Sequence, residues 1–166
     1  RRLFLGADGR TLYALAHPLR FTDDGRRVAG EYCLQVFDLE ARKLKSSIPL
    51  GYDVLDAVVD EARGRVITLD RHARALDIRS LAEGSRLDRI AVGGEADPTF
   101  SSELFMLAIS PGGRQIYVLQ IGLQARLFVV DAWSGASGAV PLGGEIYVRD
   151  AAVSPDGGTL YLLALG

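Results

Sequence analysis

The sequence is poor in the residue types that usually make a site legible. It holds one cysteine, Cys33, which excludes an internal disulfide and any zinc site built on several thiolates. That cysteine lies in the apolar run Tyr32-Cys33-Leu34-Gln35-Val36-Phe37, which predicts a buried, inert thiol. Charge of neither sign is in excess: 19 Lys and Arg against 21 Asp and Glu leave a net charge of −2. Nothing in that balance favours nucleic acid or an anionic membrane as partner. No apolar run approaches the ~18–20 residues of a membrane-spanning helix. The opening Arg1-Arg2-Leu3-Phe4-Leu5-Gly6-Ala7-Asp8 meets an acid too early for a signal peptide. With no initiator Met, the sequence reads as beginning mid-protein, which leaves open an export signal upstream.

Chemical signatures are also absent. Neither Gly-x-Ser-x-Gly nor Gly-x-x-x-x-Gly-Lys occurs. Asp23-Asp24-Gly25 lacks the alternating acids and terminal Glu of a calcium loop and reads as a solvated turn. Arg26, Arg27, Arg63, Arg65, Arg71 and Arg74 are interspersed with acids, so they form no basic patch. No catalytic constellation, metal set or cofactor motif is visible, which leaves the question of an enzyme open.

What the sequence does have is a core and a repeat. Hydrophobic residues make up 48% and charged residues 24%, ordinary values for a globular chain of 166 residues. A Gly-bearing turn before a β-type run occurs four times: Ala7-Asp8-Gly9-Arg10, Ala62-Arg63-Gly64-Arg65, Ser110-Pro111-Gly112-Gly113 and Ser154-Pro155-Asp156-Gly157-Gly158. Each is followed by a run such as Thr11-Leu12-Tyr13 or Gln115-Ile116-Tyr117-Val118. Gly supplies the positive φ of a tight hairpin, and the turn glycines are taken as Gly9, Gly64, Gly113 and Gly158. Apolar runs ending in Asp38, Asp77 and Asp131 recur, and an Asp there bonds the backbone of the turn that follows. A third run ends in Gly: Ile48-Pro49-Leu50-Gly51, Ile90-Ala91-Val92-Gly93 and Val140-Pro141-Leu142-Gly143. Pro49 and Pro141 lack a ladder donor, which predicts sheet-edge strands.

The turn glycines recur every 45 to 55 residues. That period fits a unit of four short antiparallel strands, one blade of a β-propeller. The segment Asp53 to Ala62 is the best helix candidate, but the repeat register makes its start the first strand of a blade. The expectation is an all-β propeller with about three complete four-stranded blades plus half of a fourth. The units are 3–51, 54–94, 104–144 and 148–165, within one partial propeller domain over 1–166. Propellers close with ~4–8 blades, so the chain is expected to be a fragment of a larger one.

Ile109-Ser110-Pro111-Gly112-Gly113-Arg114-Gln115-Ile116-Tyr117-Val118 and Val153-Ser154-Pro155-Asp156-Gly157-Gly158-Thr159-Leu160-Tyr161-Leu162 resemble the signature of YVTN-type β-propeller repeats. Those repeats are WD40-like and related to lactonase-like and amine-dehydrogenase heavy-chain propellers. The resemblance is strong in the third and fourth units, fair in the first and weak in the second. It implies the fold and, for location, a bacterial extracytoplasmic setting. It implies little about function, because propellers host many activities.

Antiparallel strand order puts the link between the second and third strands of a unit, and the link to the next unit, at one end. The glycine turns lie at the other. Length varies only at the first, where the segments 16–31 and 93–103 fall, and binding residues concentrate in such links. The candidates there are His17, Tyr52, Asp53, His72, Glu95, Asp97, Phe100, Tyr147 and Asp150. The leading expectation is a non-catalytic binding scaffold that holds a protein partner or small ligand at this end. The alternative is part of a propeller enzyme, either a lactonase-like hydrolase or a heavy chain supporting a redox-cofactor subunit.

Overall fold

The computed structural model describes residues 2–21, 23–24, 26–70, 72–92, 104–121, 125–143 and 147–165. Every regular element among them is a strand, apart from one 3-10 turn at Glu61–Arg63. The first sheet orders β1 (Arg2–Leu5), β2 (Thr11–Ala16), β5 (Tyr32–Asp38) and β6 (Lys43–Gly51). A separate hairpin, β3 (Leu19–Phe21) with β4 (Arg27–Ala29), is inserted between β2 and β5. The second sheet holds β7 (Val54–Asp60), β8 (Arg65–Asp70), β9 (Ala75–Ser80) and β10 (Arg86–Ala91). The third holds β11 (Leu104–Ile109), β12 (Gln115–Ile121), β13 (Arg126–Asp131) and β14 (Ser137–Pro141). A two-stranded sheet pairs β15 (Tyr147–Val153) with β16 (Leu160–Leu165).

The segment that competes for helix is therefore a strand, β7. Val54, Val58 and Val59 are β-branched, and the sheet register overrides the weak helical spacing. Pro49 lies in β6 and Pro141 in β14, the outermost strands of their sheets, where a missing N–H leaves no gap in the ladder.

The chain divides into two compact units. One reaches to Thr68 and takes in Asp77–Asp88; the other takes Leu69–Leu76 and the chain from Arg89 on. In the first, Tyr13, Leu15, Leu34, Val36, Ile48 and Leu50 of the first sheet pack on Val54, Ala57 and Val66 of the second. In the other, Ala108, Tyr117, Leu119 and Ile121 pack on Val148 and Ala151, with Leu160 and Leu162 alongside. The same register row thus makes each core. Tyr13 is 6% exposed and Tyr117 8%, whereas the matching Tyr161 is 61% exposed.

In the first unit a carboxylate ties the two sheets together at their glycine turns. Tyr13 Oη donates to Glu61 Oε1 at 2.8 Å, and the Ala7 N–H donates to Glu61 Oε2 at 2.7 Å. Burial, then the hydrogen-bonded Glu61 carboxylate, pushes the Tyr13 phenol well above the usual tyrosine range.

Three expectations need correction. The left-handed residue of the last glycine turn is Gly157 (φ 74°), not Gly158. In these turns the glycine N–H donates to the carbonyl three residues back: Gly9 to Gly6, Gly113 to Ser110 and Gly157 to Ser154. The Gly-Gly pair falls one place later in the last turn, so Gly158 lies past the left-handed site and donates to Asp156 Oδ1 at 3.0 Å. Asp77 does not end its strand. β9 runs on to Ser80, whose Oγ accepts the N–H of Ala82 and of Glu83, the role Asp38 and Asp131 fill elsewhere. Asp77 is buried mid-strand and paired with Arg79 at 2.9 Å. Cys33 is half-buried rather than fully interior.

Two glycine positions follow differently from this geometry. Gly157→Ala is expected to cost about 1–2 kcal/mol for the left-handed backbone, while Gly158→Ala leaves the unfolding midpoint nearly unchanged. Gly84 combines φ 75° with a backbone approach in which an added Cβ would lie 2.2 Å from the Pro49 carbonyl oxygen. Gly84→Ala is therefore expected to be the most damaging of the three. Urea unfolding of the three variants checks the order, and equal midpoints for Gly157→Ala and Gly158→Ala would contradict the turn assignment.

Candidate functional site

Opposite its own glycine turn, each sheet carries the link between its second and third strands, β2 to β5 in the first sheet and β8 to β9 in the second. The first is a built projection. Its Asp23-Asp24-Gly25 centre is flanked by short β-type runs, and a Gly-bearing acidic turn between such runs favours a hairpin. Leu19 pairs with Ala29 and Phe21 with Arg27, and the Gly30 N–H donates to the Pro18 carbonyl at 2.8 Å to close the base. The 16–31 segment is thus an ordered ribbon for most of its length.

At the root of this ribbon, His17 and Tyr32 stand just beyond the Ala16–Cys33 pair. Their rings stack with centroids 4.0 Å apart and planes 3° from parallel. His17 is exposed, and Tyr32 is half-buried and packs against the core of the first unit. Beside them Glu31 Oε1 accepts the Gly51 N–H at 3.0 Å, fixing the start of the link that carries Tyr52 and Asp53. Tyr52 is 66% exposed and Asp53 is exposed.

His72 is exposed in the β8–β9 link. Its N–H and that of Ala73 both donate to Asp70 Oδ1 at 2.9 Å, and Arg89 Nη2 donates to Asp70 Oδ2 at 2.8 Å. Asp150 is an exposed residue of β15, and Tyr147 begins that strand. Glu95, Asp97 and Phe100 lie outside the described residues. The structure brings His17 next to Tyr32 and ties the Tyr52 link to Glu31. Among the described residues no group of three or more His, Cys, Asp or Glu side chains is placed to hold a metal ion.

One acid escaped the sequence reading. Asp56 of β7 is buried, donates nothing, and accepts the Ala57 N–H on Oδ1 at 2.9 Å while Arg2 Nη1 donates to Oδ2. The signal was available: Val54-Leu55-Asp56-Ala57 repeats as Val148-Arg149-Asp150-Ala151. Register therefore matches Asp150 to Asp56, not to Asp53.

At the opposite end, polar side chains are consumed by their own turns. Asp8 accepts the N–H of Arg10 at 2.8 Å and of Thr11 at 2.9 Å. Asp131 accepts the N–H of Ser134 and of Trp133, and the Arg114 guanidinium donates to its other oxygen at 2.8 Å. Asp156 accepts from the Ser154 hydroxyl and the Gly158 N–H. These donors hold all three carboxyls below the usual aspartate range.

No family model matches the chain, and no curated protein matches it. Solved structures do. Hydrazine synthase of Kuenenia stuttgartiensis is 17% identical with a TM-score of 0.65, over 96% of this chain and 40% of that one. A protein of unassigned function from Desulfotomaculum acetoxidans is 16% identical with a TM-score of 0.62, over 97% and 47%. A proposed 6-phosphogluconolactonase from Bacteroides uniformis is 15% identical with a TM-score of 0.55, over 90% and 47%. The chain spans less than half the length of these structures. With the sheet order above, the likeness defines an all-β fold built from blades of the β-propeller type. Among the described residues no helix is long and apolar enough to cross a membrane.

The turn carboxylates carry a pH dependence of fixed sign. Their folded pKa values lie below the ordinary one, so their benefit is full above about pH 4 and is lost as pH falls below it. Stability is expected to fall in acid. The Asp8, Asp131 and Asp156 carboxyl resonances are expected to titrate below the other exposed aspartates in carbon-detected NMR. Ordinary midpoints for all three would remove the turn bonds as their anchor.

Proposed function

We propose that the chain is a binding scaffold, one partial propeller domain with blade units 3–51, 54–94, 104–144 and 148–165. Its partner contacts fall on the links opposite the glycine turns, the β2–β5 ribbon among them. The observation that carries this reading is the contrast between the two ends. At the glycine-turn end, Asp8, Asp131 and Asp156 are occupied by their own backbone. At the other, Val28 of the ribbon, His17 of the stacked His17–Tyr32 pair and Tyr52 are exposed. Rigid display of aromatic groups on links is how a β scaffold recognises a partner with little ordering cost. At 15–17% identity the solved neighbours carry the fold and not a reaction, so the enzyme reading has no residue of its own behind it.

Because His17 and Tyr52 are exposed, His17→Ala and Tyr52→Ala are each expected to change stability by no more than about 0.5 kcal/mol. Photo-crosslinking residues placed at Tyr52 or Val28 are expected to form adducts in an extract of the source cells. The same groups at Gly112 or Pro155 are not. Adducts that arise mainly from Gly112 and Pro155 would assign binding to the glycine-turn end.

A further inference from the structure

We propose that the outer edge of β14 pairs with the same edge of a second copy of this chain. The proposal is independent of the reading of the link end. It comes from comparing the outermost strands of the three four-stranded sheets. β6 exposes Lys43 and Lys45, and its ladder with β5 is interrupted between Val36 and Phe37. β10 exposes Arg86, Asp88 and Arg89. Charges and irregularities of that kind keep an open strand edge from adding another strand. β14 has neither. All of Ser137–Pro141 is exposed, and no charged residue occurs between Ala132 and Gly144. Its ladder runs in step from the Val130/Ser137 pair to the Arg126/Pro141 pair. The turn leading into it exposes Trp133.

The phase of that ladder fixes which backbone groups face outward. The Asp131 N–H donates to the Ala136 carbonyl at 2.8 Å, and the Leu142 N–H donates to the Ala125 carbonyl at 3.0 Å. Bonded pairs in an antiparallel ladder recur at every second residue. Ala136, Gly138, Val140 and Leu142 therefore bond inward to β13. Ser137, Ala139 and Pro141 direct their backbone groups away from it. The outer edge holds the N–H groups of Ser137 and Ala139 and the carbonyls of Ser137, Ala139 and Pro141. Pro141 falls in the outward set, where its missing N–H removes no bond from the sheet.

These outward groups are complementary to themselves. Two β14 strands laid antiparallel about a two-fold axis at Ala139 set Ala139 against Ala139, and Ser137 of each copy against Pro141 of the other. Each Ala139 N–H then meets an Ala139 carbonyl, and each Ser137 N–H meets a Pro141 carbonyl. Every outward N–H is satisfied, and the proline is met only through its carbonyl. The same register sets Gly138 against Val140 of the other copy. A Cβ added at Gly138 would meet nothing within 4 Å, so there is room for the valine. A contact of one patch with itself closes at two copies and builds no filament.

The experiment follows the mass of the 166-residue chain by sedimentation velocity over a concentration series. It also places single cysteines at Ala139, Leu44 and Leu87 in a Cys33→Ala background. The chain is expected to dimerise. Ala139→Lys is expected to weaken the dimer by about tenfold or more, because it sets two like charges against each other on the axis. Ala139→Pro removes only an outward N–H, so it is expected to abolish the dimer and leave the circular dichroism spectrum unchanged. Under mild oxidation Ala139→Cys is expected to link two copies, since α-carbons about 5.5 Å apart in a bonded pair suit a disulfide. Leu44→Cys and Leu87→Cys, at exposed positions of β6 and β10, are expected not to. A monomer at every concentration, a dimer that survives Ala139→Lys, or linkage at Ala139 no faster than at Leu44 and Leu87 overturns the proposal. A changed spectrum for Ala139→Pro would put its N–H inside the ladder and overturns it too.

Discussion

Each blade-type sheet has two faces, and the fold depends on covering both. The second strand of a sheet shows how strict the requirement is. Its odd-numbered row, Tyr13 and Leu15 in one sheet and Tyr117 and Leu119 in another, is buried by the sheet that follows. The same row in β16, Tyr161 and Leu163, is exposed, as are Leu3 and Leu5 on β1. Sequence alone gives these residues the same apolar character. Burial is a property of stacking, and in a repeat architecture each unit borrows much of its stability from its neighbour. Everything else is arranged around that stacking. Glycine turns keep one end short, Pro49 and Pro141 are confined to edge strands, and the Glu61 carboxylate bonds across the joint only because the turns are brought together there.

How much of this was legible follows from what a repeat does and does not transmit. Strand existence, strand order and the edge positions of Pro49 and Pro141 were readable because they follow from period, turn chemistry and the missing proline donor. The precise register was not. Gly157 and Gly158 are indistinguishable as residue types, and only the bond to the carbonyl of Ser154 selects between them. Asp77 resembles Asp38 and Asp131 by its place after an apolar pair. The second unit has its own turn at Glu61–Arg63, and the strand there runs three residues further to Ser80. Ser80 Oγ accepts the same class of backbone bond as the Asp carboxylates, so the turn chemistry persisted while the residue carrying it changed. Where chemistry is shared by several residue types, spacing inferred from one type slips.

Which links share an end of a sheet was legible; the form of those links was less so. Antiparallel order fixes which links share an end, and that needs no side-chain information. The β3–β4 ribbon was hidden because Asp23-Asp24-Gly25 reads by itself only as a solvated turn, although short β-type runs on either side of an acid-Gly turn are a hairpin signal. His17 stood out only as a candidate in a link, but its place in the structure is set by its ring, stacked on Tyr32. A histidine beside an aromatic residue across a strand pair is a packing element first.

Asp56 and Asp150 show what an internal repeat can teach beyond fold. Two positions with the same backbone bond and the same buried flanks form a natural comparison in one molecule. Asp56 is neutralised from within by Arg2 and is therefore part of the scaffold, since removing either partner would leave a buried charge. Asp150 keeps the same backbone bond, and the residue of β11 in the row equivalent to Arg2 is Met106. A carboxylate with an internal cation is committed to holding two sheets together.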